Sequence, residues 1–264
     1  MIKFFRRIRQ RLLSEKKITK YLIYAAGEIF LVVIGILIAL QINNWNNHRI
    51  EGKKELAYLK RLQEDIQSDR VFLDENRLFY NQVFAARSLV LQSVEEESDR
   101  PVKQWDILVA YFHASQIWPI IPSSATFEEL KSSGELSLLK NIDLRNTLPF
   151  YHGYGFKRYN ETMGINPPYR KLVRELIPAR IQNKMWEHCH ETRGDVQMLF
   201  NCKPQIEESE AAQINAQLAE NKELISELRY YMSSIKVGLS TLTEQEKLNA
   251  TLLEMIESEI ENRQ

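Results

Sequence analysis

Hydrophobic and polar positions divide this chain into four kinds of stretch. The first is a single long apolar run. From Ile29 to Leu40 no side chain is polar, and Tyr21–Trp45 reads YLIYAAGEIFLVVIGILIALQINNW. The 20 residues from Tyr21 to Leu40 form a helix long enough for the roughly 30 Å hydrocarbon core of a bilayer. Tyr21, Tyr24 and Trp45 fall near its ends, where amphipathic aromatics favour the headgroup layer. The spacing predicts one transmembrane helix over 21–45. A buried core helix of this length would carry a polar face. A cleaved signal peptide would start its apolar core earlier and show a small-x-small cleavage site.

The second stretch is polar with a helical stripe. Leu59, Ile66, Leu73 and Tyr80 recur every seven residues, and Leu56, Leu62, Leu78 and Val83 widen the band. Nothing from His48 to Gln92 breaks the pattern apart from Gly52, so the transmembrane helix is expected to run on into a long arm over 46–93. Such a stripe needs a partner, within the chain or in another subunit. A second arm, 207–262, carries Leu218, Leu224, Ile225, Leu228, Tyr231, Met232 and Ile235, then Leu248, Leu252, Leu253, Ile256 and Ile260. Gly238 and Thr241-Leu242-Thr243-Glu244 are expected to divide it, with Thr241 or Thr243 capping the last helix.

Between the arms lies an irregular middle, 94–206. It holds all eight prolines, Pro101 to Pro204, and is rich in aromatics. Short helices are expected over 102–117, 124–133, 141–163 and 168–190, with Ser124 or Thr126 capping one and Asn141 another. Pro149 would kink the third. No alternating β-branched run predicts a sheet. The fold class is therefore all-α: an N-terminal transmembrane helix continuing into a long helix, with an extracytoplasmic helical bundle whose two arms pair antiparallel.

Charge gives the apolar run a direction. Lys3, Arg6, Arg7, Arg9, Arg11, Lys16, Lys17 and Lys20 precede it against the single acid Glu15, a formal +7. The whole chain has 35 basic and 35 acidic residues, so the remainder carries −7. The positive-inside rule then puts residues 1–20 in the cytoplasm and 46–264 outside. Ile2, Phe5, Ile8 and Leu12 share one face of a basic amphipathic helix over 1–13, suited to the anionic inner leaflet. Nucleic acid is not an expected partner, since the basic segment lacks a folded reading domain. Arg6-Arg7 begins too far from the apolar core for a twin-arginine signal. Twenty cytoplasmic residues cannot fold into an output domain.

Candidate chemistry is sparse. Glu28 lies inside the span, either within reach of the headgroups or in a helix–helix contact. For the latter, Glu28 is seven residues from Gly35, and Gly35-x-x-x-Ala39 is a small-x-x-x-small pair. Cys189 and Cys202 are the two cysteines. In oxidising space they are expected to bond, closing a loop worth about 3 kcal/mol. His188 and His190 offer a zinc alternative, but neighbours on a helix diverge by about 100°, and free thiols are the third option. His113 and His152 sit among aromatics, as structural histidines do. GxSxG, HExxH, a phosphate loop and paired CxxC are all absent from the sequence, which predicts no enzyme, no metal and no cofactor.

The segment KFFRRIRQRLL, then KYLIYAAGEIFLVVIGILIALQINNWN, resembles the N-terminus of a bacterial domain-of-unknown-function family of small, single-pass inner-membrane proteins. SSATFEELKSSGELSLLKNIDLRNTL resembles that family's central region. The resemblance implies the bacterial inner membrane, with the bulk of the chain periplasmic, and carries no activity. Two functions remain open. One is a scaffold that self-associates or binds another membrane protein; the other is a sensor whose aromatic middle binds a ligand and signals through a membrane partner.

Overall fold

The computed structural model describes residues 18–95, 102–163, 166–193 and 196–263. Chain contacts divide it into two units, Met1–Ala57 and Tyr58–Gln264. One helix, α1 (Ile18–Glu95), belongs to both. Gly52 does not interrupt it, since a lone glycine costs a helix only about 1 kcal/mol. The basic segment over 1–13, including Lys3, Arg6, Arg7, Arg9 and Arg11, lies outside the described residues, as do Lys16 and Lys17.

In the first unit, α1 is long and apolar enough to cross a membrane, and none of its apolar window is buried by the chain itself. Ile29, Phe30, Leu31 and Val32 all stand exposed. Apolar surface of this kind is costly in water and favourable in hydrocarbon.

In the second unit, helices dominate. They are α2 (Gln104–His113), α3 (Ala125–Ser132), α4 (Ile142–Pro149), α5 (Phe156–Met163), α6 (Pro168–Leu176), α7 (Ala179–His188), α8 (Glu208–Glu220) and α9 (Lys222–Glu261). A hairpin of β1 (His190–Arg193) and β2 (Val196–Leu199) follows α7, pairing His190 with Leu199. No strand was expected, and no periodicity marked one. The hairpin is held by the chain closure around it: Phe200 N–H donates to the Cys189 carbonyl (3.2 Å).

The two arms pair antiparallel. Along α1 the residues Gln63, Ile66, Arg77 and Glu95 meet Glu257, Asn249, Glu246 and Arg229 of α9 in descending order. The expected division near Gly238 does not occur. Thr241 and Thr243 donate their hydroxyls to the Val237 and Leu239 carbonyls within α9, satisfying themselves one turn back. The break falls at Asn221, whose side chain accepts from Leu224 N–H (3.0 Å) and caps α9. Gly238 is instead a packing residue. A Cβ there would overlap Met163 Sδ, so α5 and α9 approach more closely than a larger side chain allows.

In the stripe of α1, Leu59, Leu62, Ile66, Leu73, Tyr80, Val83 and Val90 are buried, while Leu78 is exposed and outside it. α2 is covered all round: every residue from Trp105 to His113 except Asp106 is buried. Asn141 caps α4 as expected, accepting from Asp143 and Leu144 N–H at 3.0 Å. Pro149 lies inside that helix, and the chain widens into a π turn over Phe150–Gly155 before α5. The expected helix over 168–190 is two, because Pro178 separates α6 from α7.

Candidate functional site

The apolar half of α1 places Glu28, Gly35 and Ala39 on one face, since two turns separate the first two and a further turn the third. Gly35 and Ala39 are exposed, Glu28 is half-buried, and open space surrounds the position a Gly35 Cβ would take. The backbone of Lys20 is helical, and its side chain lies outside the described residues.

Cys189 and Cys202 form a disulfide with Cα atoms 5.0 Å apart. Cys189 ends α7 and the β1–β2 hairpin makes the return; the expected turn residues Gly194 and Asp195 lie outside the described residues. The bond takes both thiols that a zinc site would need. His190 packs edge-on against Trp186. His113 Nε2 donates to the Cys189 carbonyl (3.0 Å), and burial, chiefly, holds this imidazole down to about 4.

The least expected features are polar and buried. Asp65 of α1 caps α3 from outside it, and Asp69 holds the residue just before its N-cap. Thr126 N–H donates to Asp65 Oδ2 (3.2 Å) and Ser123 N–H to Asp69 Oδ1 (2.6 Å), while Ser124, the N-cap residue, makes no side-chain cap. Neither Ser124 nor Thr126 therefore caps the helix through its own side chain. Carboxylates at a helix start complete its free N–H groups and complement its dipole. Asp69 Oδ2 also accepts from the Tyr151 hydroxyl (3.0 Å), which accepts in turn from Asn249 Nδ2 (2.8 Å). Burial pushes the Asp69 carboxyl up to about 6, against the pull of its two donors. His152 stacks flat on Phe127 at 4.8 Å, and neither ring nitrogen has a hydrogen-bond partner among the described residues. Burial holds it down to about 4, while the nearby Asp65 and Glu128 carboxylates oppose that fall.

A second buried cluster gathers arginines. Arg87 is fully enclosed; its Nε donates to the Ala114 carbonyl (2.8 Å), one Nη to the Tyr231 carbonyl (3.1 Å), and its guanidinium lies 3.6 Å from the Tyr231 ring centre. Arg170 donates to the Ser115 carbonyl (2.6 Å), and Arg174 Nε to the Ser115 hydroxyl (3.1 Å). Arg174 also lies over the Phe112 ring at 3.7 Å. The aromatics of the middle are largely core: Trp105, Tyr111, Phe112, Tyr151, Tyr159 and Tyr169 are all buried. Trp186 and Phe200 are exposed, as are Phe150 and Tyr154, which stand on the π turn beside a surface groove of about 290 Å³ that Arg158, Glu244 and Lys247 help to line.

A model described as a family of unknown function, DUF6090, matches residues 28–165. The chain belongs to that family. The matched span of this DUF6090 protein runs from Glu28 through the apolar helix, the arm, Asp65, Asp69 and the π turn, and ends before Arg170, Arg174 and the disulfide. The chain matches no curated protein and no solved structure.

Sequence reasoning singled out the apolar face and the cysteines. It passed over Asp69, Asn76 and Arg87, although their register was readable. Asp69 and Asn76 continue the seven-residue series of Leu62 and Val83, and Arg87 extends that of Leu59, Ile66, Leu73 and Tyr80. A polar residue in a buried seam position is the signal.

Proposed function

We propose that this chain is a single-pass, membrane-anchored interaction protein, a scaffold without catalytic activity whose helical bundle works in the periplasm of a bacterium. The observation that carries the reading is α1. One uninterrupted helix of 78 residues belongs at one end to an apolar segment that its own chain leaves bare and at the other to the bundle. The eight basic residues before the span support a cytoplasmic N-terminus at an anionic inner leaflet. The disulfide fits an oxidising compartment beyond it. Glu28, Gly35 and Ala39 form the face by which the helix pairs with itself or another membrane protein.

In-cell photo-cross-linking from a probe in the apolar segment, read by mass spectrometry, tests the contact. Cross-links are expected in the native chain and should be lost when Gly35→Ile and Ala39→Ile are combined. Cross-links unchanged by that pair would remove the interface. The arginine cluster favours a second reading, a sensor that binds a ligand outside and signals through a membrane partner.

A further inference from the structure

Arg87, Arg170 and Arg174 converge on one turn, Ala114-Ser115-Gln116, just past the end of α2. The carbonyls there account for part of the arrangement. A helix C-terminus carries about half a negative charge and attracts cations. Three guanidiniums bring three positive charges to it, so most of the charge is not offset.

Carboxylates do not supply the remainder. Among the described residues the three arginines donate to backbone carbonyls, the Ser115 hydroxyl and the amide oxygens of Gln116 and Gln182, and to no carboxylate. The acid on α6, Glu175, turns to Lys171 on the exposed side instead. Arg170 and Arg174 are one helical turn apart, where like charges repel. Burial first, then Arg170, depresses Arg174 to about 9. Enclosed charges without a counter-charge are unfavourable, so the arrangement calls for an anion.

The donors to hold one are present and unused. Arg87 Nη2, Arg174 Nη2 and Gln116 Nε2 are buried and have no acceptor among the described residues. Arg87 and Gln116 are almost wholly enclosed, at 0% and 1% exposure. Gln116 Oε1 is 3.4 Å from Arg170 Nη1, which turns the amide's donor end away from that guanidinium. Guanidinium forks match two oxygens of a carboxylate, phosphate or sulfate at once. Arg87 is fully buried, while Arg170 and Arg174 are part-exposed.

We infer that Arg87, Arg170, Arg174 and Gln116 bind a small oxyanion at the end of α2. The site does not depend on signalling across the membrane: binding can be present in a scaffold as in a sensor.

The test uses the full chain in non-ionic detergent at pH 7.5. Tryptophan fluorescence follows Tm at constant ionic strength while chloride is exchanged for phosphate, sulfate or acetate at millimolar concentration. At ten times the Kd, a rise of about 3 °C over chloride is expected. The combined Arg170→Gln and Arg174→Gln variant should lose it. A response to phosphate and sulfate assigns a phosphoryl- or sulfate-bearing ligand, and one confined to acetate assigns a carboxylate. An equal rise in the variant would reflect general salting effects and overturn the site. Titration calorimetry on the native chain serves if the variant does not fold; no saturable heat with any of the three anions overturns the proposal.

Discussion

Replacing Arg87 with alanine is expected to lower folding stability by on the order of 4 kcal/mol. The side chain is fully buried, so its deletion leaves a cavity among Tyr231 and the helix α1 seam. It also strips the Ala114 carbonyl of the Arg87 Nε donor, 2.8 Å away. An enclosed carbonyl without a donor costs about 1–3 kcal/mol, and the lost stem adds a cavity term of similar size. For a domain of this size the Tm should drop by about 10 °C. Arg87→Met should be milder, because it refills the volume and removes only the donors to the Ala114 and Tyr231 carbonyls. The check is thermal unfolding of the full chain followed by the fluorescence of buried Trp105 and Trp118. A shift under about 2 °C for Arg87→Ala would mean that Arg87 does not join α1, α2 and α9 as described.

Stability is expected to fall by about 3 kcal/mol as pH drops from 7 to 4, with two opposing contributions setting the size. His113 and His152 are held neutral by burial, each lowered from 6.5 to about 4. Between those values the unfolded chain binds the proton and the folded one does not, so their contribution is intact above 6.5 and is lost towards 4. Each amounts to about 3 kcal/mol, since one unit is worth roughly 1.4. Asp69 acts the other way. Its carboxyl rises from 3.8 to about 6, so in that window the folded chain binds the proton first and gains stability as pH falls. That gain, about 3 kcal/mol, offsets one histidine and leaves the other. His190, also lowered by burial, adds to the acid loss. Unfolding midpoints at pH 7 and pH 4.5 should show it. Asp69→Asn should steepen the loss, and His152→Phe, which keeps the stack on Phe127, should shrink it. A flat profile in the native chain would contradict the buried state of these groups.

The arms were legible because their chemistry is local. A seven-residue apolar series specifies a helix and its buried side wherever the partner stands, and the absence of proline lets both arms run long. Asn141 was legible for the same reason, since a cap acts within three residues. The α3 cap was not, because Asp65 comes from 61 residues away and replaces what Ser124 would have done. The hairpin carries no strand pattern and depends on the disulfide and the end of α7. In α9 the glycine and threonines read as a break, yet Gly238 admits Met163 and the threonine hydroxyls bond inside the helix. The arginine cluster stayed hidden because its three members come from two helices that meet only in the fold.

The proposed role requires the apolar stretch of α1 to hold the bundle on the far side of a membrane from the basic N-terminus. A reporter fused after Gln264, of a kind that is active only outside the cytoplasm, tests this most directly in bacterial cells. Activity of that reporter, with the chain recovered in the membrane fraction, is the predicted result. A reporter active only in the cytoplasm, or a chain recovered as soluble protein, would contradict it.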